Sequence, residues 1–199
     1  MEGEWPRLRQ TAMKSRVVLL GGVIAAGKTT LAADLVACHG FTKVSTRSAL
    51  EQRAASKGLA PSRNILQDMG DELDAETNGV WVLDQIELAS LQEPFPARLL
   101  LDSVRRDFQI KRAKARWPNQ VFYVHLVVPL DVARSRYEGR NAKSDVTVPF
   151  EQAKASATEQ HADTLSGLAD LVLDTSSNSS KAAAASVAML LASASTRGG

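Results

Sequence analysis

Short apolar runs separated by polar, glycine-containing breaks recur along the chain. Val17 to Leu20 is a continuous apolar run of strand length that stops at Gly21-Gly22. Leu31, Leu35 and Val36 then fall at helical spacing, predicting a strand followed by a helix from about Lys28 to Ala37. Cys38-His39-Gly40 closes that helix, with Gly40 as its C-cap. Phe41 to Ser45 is a short strand candidate. Leu50, Ala54 and Ala55 share one side of a helix interrupted by Lys57-Gly58 and Pro61. Ser62 then caps a further helix carrying Ile65, Leu66, Met69 and Leu73. Val80 to Leu91 reads as another helix, isolated by Pro94 and Pro96.

Arg98 to Asp102 and Val121 to Val128 have the pattern of buried strands. Between them lies a basic helix, about Arg105 to Arg116, closed by Trp117-Pro118-Asn119. Pro129 ends the longer strand, and Asp131 can cap a helix through about Arg140. Asn141 to Val148 is polar and loop-like, Phe150 to Leu168 is helical, and Leu171 to Leu173 is a last short strand. Ser176 to Ser180 forms a turn before an alanine-rich helix, Lys181 to Ala194. Strands alternating with helices predict an α/β fold: a three-layer α/β/α sandwich with about five parallel strands and helices on both faces. Residues 1–15 read as a loose polar leader and 16–199 as a single domain.

Composition narrows the class. With 44% hydrophobic and 23% charged residues, a globular core is expected rather than disorder. A formal charge of +2, from 24 basic and 22 acidic residues, gives no global electrostatic case for nucleic acid. The single cysteine, Cys38, cannot form an internal disulfide, which suits a reducing compartment. No apolar run reaches the length of a membrane span, and Met1-Glu-Gly-Glu-Trp-Pro6 lacks the features of a signal peptide. The expectation is a cytoplasmic protein with no membrane partner.

The strongest chemical signal is Gly22-x-x-x-x-Gly27-Lys28-Thr29, set between the first strand and the first helix. Glycines let the backbone curl so that N–H groups point inward, and the helix beginning near Gly27 adds the positive end of its dipole. Lys28 supplies a cation for the outer phosphates and Thr29 a hydroxyl for Mg²⁺. Gly22, Ala25, Ala26, Gly27, Lys28, Thr29 and Thr30 are therefore the candidate residues for a nucleoside triphosphate, ATP ahead of GTP. The bland reading, a glycine-rich strand-to-helix turn, leaves the order of strand, loop and apolar helix to chance.

Three further groups bear on the chemistry. Leu99-Leu-Leu-Asp102 is an apolar strand ending in an acid, which makes Asp102 the candidate carboxylate beside the Mg²⁺ on Thr29. Its alternative is to cap the next helix; for a hydroxyl acceptor it is also the best-placed general base. Thr46 and Arg47, Arg63 and Gln67, and Arg105 and Gln109 follow predicted strands or lie on the helices after them, at the edge where ligands sit in such sheets. Arginine can grip a phosphate bidentately and glutamine can read a base edge. Solvated helix faces are the usual alternative, and Arg106 is weighed no higher than that. Last, Arg136 and Arg140 lie four apart on one helix and can stabilise a moving phosphoryl group from a lid, whereas Arg134 can pair with Glu138. The competing account is a solvated, salt-bridged helix.

In this order, these motifs resemble the nucleoside-monophosphate kinases, in particular the small adenylate-kinase-like and dephospho-coenzyme-A-kinase-like P-loop kinases, over about residues 16–175. The resemblance implies a P-loop NTPase fold with a short lid, about residues 134–148, and acceptor-binding helices over about 45–92. It implies acceptor contacts by Arg47, Arg63, Arg105 and Gln109 and lid contacts by Arg136 and Arg140. Departures stand beside the matches. Arg47-Ser48 replaces the Gly-Asp that follows Ser-Thr in adenylate kinases, Glu51 falls near an expected arginine, and Asp102-Ser103 replaces Asp-Gly. The expected activity is transfer of the γ-phosphate of ATP to a nucleotide or nucleoside-like acceptor.

Two alternatives stay open. The run Arg105-Arg106…Lys111-Arg112-Ala-Lys114-Ala-Arg116, with Trp117 to stack on a base, could serve a polynucleotide kinase. A nucleotide-driven switch that passes phosphate only to water would carry the same loop. His39, His125 and His161 are scattered; His125, within a strand, reads as a hydrogen-bonded core or edge residue. Trp81 and Trp117 read as packing residues.

Overall fold

The apolar run after Ser15 becomes β1 (Arg16–Gly22), the middle strand of a five-stranded parallel sheet of order β2-β3-β1-β4-β5. The computed structural model describes residues 13–102, 104–141, 148–155 and 164–195. Around β1 stand β2 (Thr42–Lys43), β3 (Arg98–Leu101), β4 (Val121–Val127) and β5 (Leu171–Asp174). The helices are α1 (Lys28–His39), α2 (Arg47–Ser56), α3 (Arg63–Thr77), α4 (Val80–Ser90), α5 (Asp107–Arg116), α6 (Leu130–Asn141), α7 (Phe150–Lys154) and α8 (Ser180–Ser195). A 3₁₀ turn spans Leu165–Leu168.

A strand buried on both faces needs apolar side chains at every position, and β1, β3 and β4 have them. Val17 and Leu19 join Leu99, Leu101 and Tyr123 in a core with Leu73 of α3, Ile86 of α4 and Ile110 of α5. Val18 and Leu20 join Leu100 and Val124 in a second core with Leu31 and Leu35 of α1 and Val187 of α8. The alternation of β1 side chains thus separates the layers. The larger of these buried side chains each stabilise the fold by about 1.5–3 kcal/mol. The α/β/α sandwich expected from the alternation of strands and helices is what forms.

Strand order reverses at β1, whose neighbours β3 and β4 continue the sheet in opposite directions. The crevice at the C-terminal edge of such a switch point is where ligands bind in doubly wound sheets. β1 also ends without side chains, and space demands it. A Cβ on Gly21 would lie 2.2 Å from the Tyr123 hydroxyl, and one on Gly22, at φ +139°, would lie 2.4 Å from the Leu126 carbonyl oxygen.

Several boundaries differ from expectation for identifiable reasons. Met13 and Ser15 are buried, so the loose leader does not reach residue 15; residues 1–12 lie outside the described residues. The strand expected over Phe41 to Ser45 shortens to Thr42–Lys43 at the sheet edge, with the Val44 N–H still donating to the Leu100 carbonyl at 2.8 Å. Asp131 is not a cap: α6 begins at Leu130, and the carboxylate falls inside the first turn, where it complements the dipole. The basic helix starts at Asp107 rather than Arg105. The long helix expected from Phe150 stops at Lys154. Ser62 does cap α3, its hydroxyl accepting from the Ile65 N–H at 3.3 Å.

Two measurements follow from this packing. Gly21→Ala should destabilise the protein by about 1–3 kcal/mol in urea unfolding, because the rigid, fully buried Tyr123 cannot yield. Gly139→Ala, facing open space on α6, should be neutral or stabilising by up to about 1 kcal/mol. Burial also pushes the Tyr123 phenol well above its usual range. The unfolded chain therefore loses that proton first, and stability should fall as pH rises past about 10. Tyr123→Phe should flatten that alkaline limb.

Candidate functional site

The loop after β1 has the backbone that its glycines predict. Ala25 (φ 56°) and Gly27 (φ 85°) take left-handed conformations, which turns successive N–H groups toward one side. Gly27 caps α1 without any side-chain cap, so the first N–H groups of a twelve-residue helix stay open to an anion. Lys28 folds over the loop, and its Nζ donates to the carbonyls of Gly22 at 2.6 Å and Val23 at 2.9 Å. The donors and the cation thus suit the phosphates of a nucleoside triphosphate.

Above the loop lies a cavity of about 620 Å³ lined by Ala25, Ala26, Gly27, Lys28, Thr29 and Thr30. Arg136 and Arg140 close its far side, as their spacing of four on one helix predicts. What holds α6 there is apolar: Ala133, Tyr137 and Phe150 pack with Ile24 and Ala25 of the loop itself. The Tyr137 and Phe150 rings meet edge to face at 5.6 Å, and the Tyr137 hydroxyl donates to the Val148 carbonyl at 3.0 Å. Arg134 does not pair with Glu138; it reaches Glu151 on α7 instead, across the hairpin that the Tyr137–Phe150 contact brings together. Of the expected lid, residues 142–147 lie outside the described residues.

The third wall of this cavity carries no motif: it is made of Thr175 and Asn178 from the turn after β5 and Ser180 at the start of α8. The Thr175 hydroxyl donates to the Ala26 carbonyl at 3.0 Å and accepts from Arg136 Nη1 at 3.1 Å, while Arg136 Nη2 donates to the Thr175 carbonyl at 2.6 Å. One hydroxyl therefore joins the loop after β1, α6 and the end of the last strand. Next to it, hydrogen bonds from Ser176 hold the Asp174 carboxyl below the usual carboxylate range. The position of Thr175 directly after the last strand was the available signal.

A second cavity, about 540 Å³, opens beyond β2 and β3 between α2, α3, α4 and the start of α5. Thr46, Arg47, Gln67, Arg105 and Gln109 all line it, and so does Arg106, which sequence reading had set aside. The side chain of Arg63 lies outside the described residues. Gln109 lines the cavity but is buried and engaged within the protein: its amide donates to Asp74 at 3.1 Å and its carbonyl accepts from the Arg105 N–H at 3.2 Å. Arg47 pairs with Glu51 at 2.7 Å, and Arg106 with Asp71 at 3.7 Å. Exposed pairs of this kind contribute under about 1 kcal/mol each and exchange readily for a bound anion.

Asp102 lies one residue past Leu101, which is level with Leu19 of β1. Its carboxylate pairs with Lys43 Nζ of β2 at 2.6 Å and lines neither cavity. Capping does not explain it, since Arg106 occupies the N-cap position of α5. The basic helix is also more committed than its charge suggests. Lys111 pairs with Asp107 at 2.7 Å, Lys114 with Asp170 at 2.8 Å, and Arg116 with Asp84 and Glu87. Trp117 is buried in the core and is not available to stack on a base. His125 is fully buried, bonded through Nδ1 to the Tyr123 hydroxyl at 2.7 Å.

No protein-family model matches the sequence, and neither does any curated protein. Solved structures do match. A protein of Thermus thermophilus is 17% identical, with a TM-score of 0.56 over 88% of this chain and 96% of its own. The tunicamycin resistance protein of Deinococcus radiodurans is 16% identical, with a TM-score of 0.56 over 88% and 94%. The shikimate kinase of Aquifex aeolicus is 14% identical, with a TM-score of 0.50 over 92% and 99%. These likenesses give the chain the fold of small P-loop kinases.

Thr175→Val should cost about 1 kcal/mol of stability, because the Ala26 carbonyl loses its donor. Hydrogen exchange should show the effect as faster exchange across residues 22–29 than across β4.

Proposed function

We propose that this protein is a P-loop kinase that moves the γ-phosphate of ATP, with Mg²⁺, to a nucleotide or nucleoside-like acceptor. The observation that carries this reading is the pair of cavities at the C-terminal edge of one sheet, one above the loop that follows β1 and one between α2, α3, α4 and the start of α5, each lined by arginines. Gly22, Ala25, Ala26, Gly27, Lys28, Thr29 and Thr30 bind the donor, with ATP preferred to GTP. Lys28 exchanges the loop carbonyls for phosphate oxygens. Arg136 and Arg140 stand where charge on the transferred group needs compensation.

Among the described residues, no three acidic, histidine or cysteine side chains gather to hold a metal by themselves. That suits Mg²⁺, which binds through few protein ligands and substrate phosphates. When bound, it neutralises phosphate charge. Thr29 would hold it directly and Asp102 through water, with the Asp102 carboxylate shared with Lys43.

On the acceptor side, Arg47, Arg105 and Arg106 supply cations for a phosphate, with Thr46 and Gln67 in the same lining. A switch that passes phosphate only to water has no use for this second, arginine-lined cavity. A polynucleotide acceptor is disfavoured by the ion pairs along α5 and by the burial of Trp117. Among the described residues no helix is long and apolar enough to cross a membrane. An exposed, free Cys38 suits a cytoplasmic setting.

Two substitutions test the division of roles. Lys28→Ala should lower kcat by about 10²-fold or more while leaving the fold intact, as judged by circular dichroism. Arg105→Ala should raise the acceptor KM by about tenfold with little change in the KM for ATP. ATP hydrolysis that no monophosphate accelerates would overturn the kinase reading.

A further inference from the structure

The second cavity holds an acid that the motifs did not mark. α3 and α4 are joined by Asn78 (φ 52°) and Gly79 (φ 76°), two consecutive left-handed residues that turn the chain sharply enough to set Asp74 against Trp81. Gly79 also makes room for α5: a Cβ there would lie 2.4 Å from the Phe108 ring and 3.1 Å from Gln109 Cγ. As a result Asp74 Oδ1 accepts from Trp81 Nε1 at 2.8 Å and from Gln109 Nε2 at 3.1 Å. Among the described residues, Asp74 Oδ2 receives only a 3.4 Å contact from the same Gln109 amide. A carboxylate offers about four lone-pair sites, so most of the accepting capacity of Oδ2 remains for a ligand in the cavity that Asp74 lines.

We propose that Asp74 is the specificity-determining residue of the acceptor site, selecting a guanine-bearing monophosphate by accepting hydrogen bonds from the edge of its base. This rests on the nucleotide-kinase reading above. Electrostatic complementarity divides the cavity: Arg47, Arg105 and Arg106 suit the phosphate, whereas a fixed carboxylate suits neighbouring N–H donors. Guanine presents two side by side, N1–H and the N2 amino group. Adenine and cytosine each place a ring acceptor next to their amino group, and the single N–H of uracil or thymine is flanked by two carbonyls. Each of those acceptors would face the Asp74 carboxylate and be repelled. Trp81 and Gln109 bond Oδ1 from two directions, so the carboxylate is oriented before the acceptor arrives.

Calorimetric titration of the full chain with GMP, AMP, CMP and UMP tests this, with and without a non-hydrolysable ATP analogue and Mg²⁺. GMP should bind at least about tenfold tighter than the other three. Asp74→Asn keeps an oxygen for Trp81 and Gln109 but replaces the other acceptor with a donor, and should remove most of that preference without changing ATP-analogue affinity. Equal affinity for all four nucleotides, or an unchanged preference in Asp74→Asn, would overturn the proposal while leaving the kinase reading standing. Binding of none of the four would overturn both the proposal and the nucleotide acceptor. Should Asp74→Asn fail to fold, the wild-type ranking alone decides.

Discussion

Everything at this site depends on how closely β1 approaches β4 at its end. Gly21 passes over the Tyr123 hydroxyl and Gly22 over the Leu126 backbone, at separations that no side chain would tolerate. Tyr123 cannot give way, because it is fully buried and tied to His125. The strand therefore leaves the sheet as bare backbone. Only then can the chain curl through Ala25 and Gly27 and deliver the open N-terminus of α1 to the switch point. The hydrophobic cores on the two faces hold the strands that make this approach, so the packing energy of the fold fixes the position of the phosphate loop.

The first cavity is walled mostly by contiguous sequence, which is why so much of it is legible there. One strand, one loop and one helix carry the loop from Gly22 to Thr30, and a spacing of four carries Arg136 and Arg140 to the same cavity. What escaped notice came from chain ends that meet only in space. Thr175 lies 149 residues from Ala26, and a short polar turn gives no periodic signal. Asp102 illustrates the opposite failure. An acid at a strand end was legible, but its partner Lys43 lies on an edge strand of two residues, too short to register reliably against β3.

At the second cavity, residue types were legible while their surroundings were not. Gln109 was read as a reader of bases, yet it is buried and both ends of its amide are engaged within the protein. Trp117 was a stacking candidate, yet it completes the core below α5. Arg106 was discounted and lines the cavity. In each case the deciding fact is which way a helix faces, and α5 is polar enough that hydrophobic periodicity left its rotation open. Burial of Ile110 and Ala113 sets that rotation, and ion pairs from α4 and from the segment before β5, neither adjacent to α5 in sequence, accompany it.

The same rotation separates the functional alternatives. With Lys114 and Arg116 turned back onto Asp170 and Glu87, the basic helix is an internal strut, and its charge is largely spent before any phosphate backbone could meet it. Arg105 and Arg106, ahead of the helix and at its cap, are left on the cavity side. Charge that looks like a stripe in the sequence is thus divided between ion pairs within the protein and the lining of a cavity. A cavity of about 540 Å³ that carries arginines and a fixed carboxylate favours a ligand with an anionic group and a donor-bearing face. That requirement is narrower than anything the loop sequence alone imposes, and it comes from the turn at Asn78 and Gly79 that brings Asp74, Trp81 and Gln109 together.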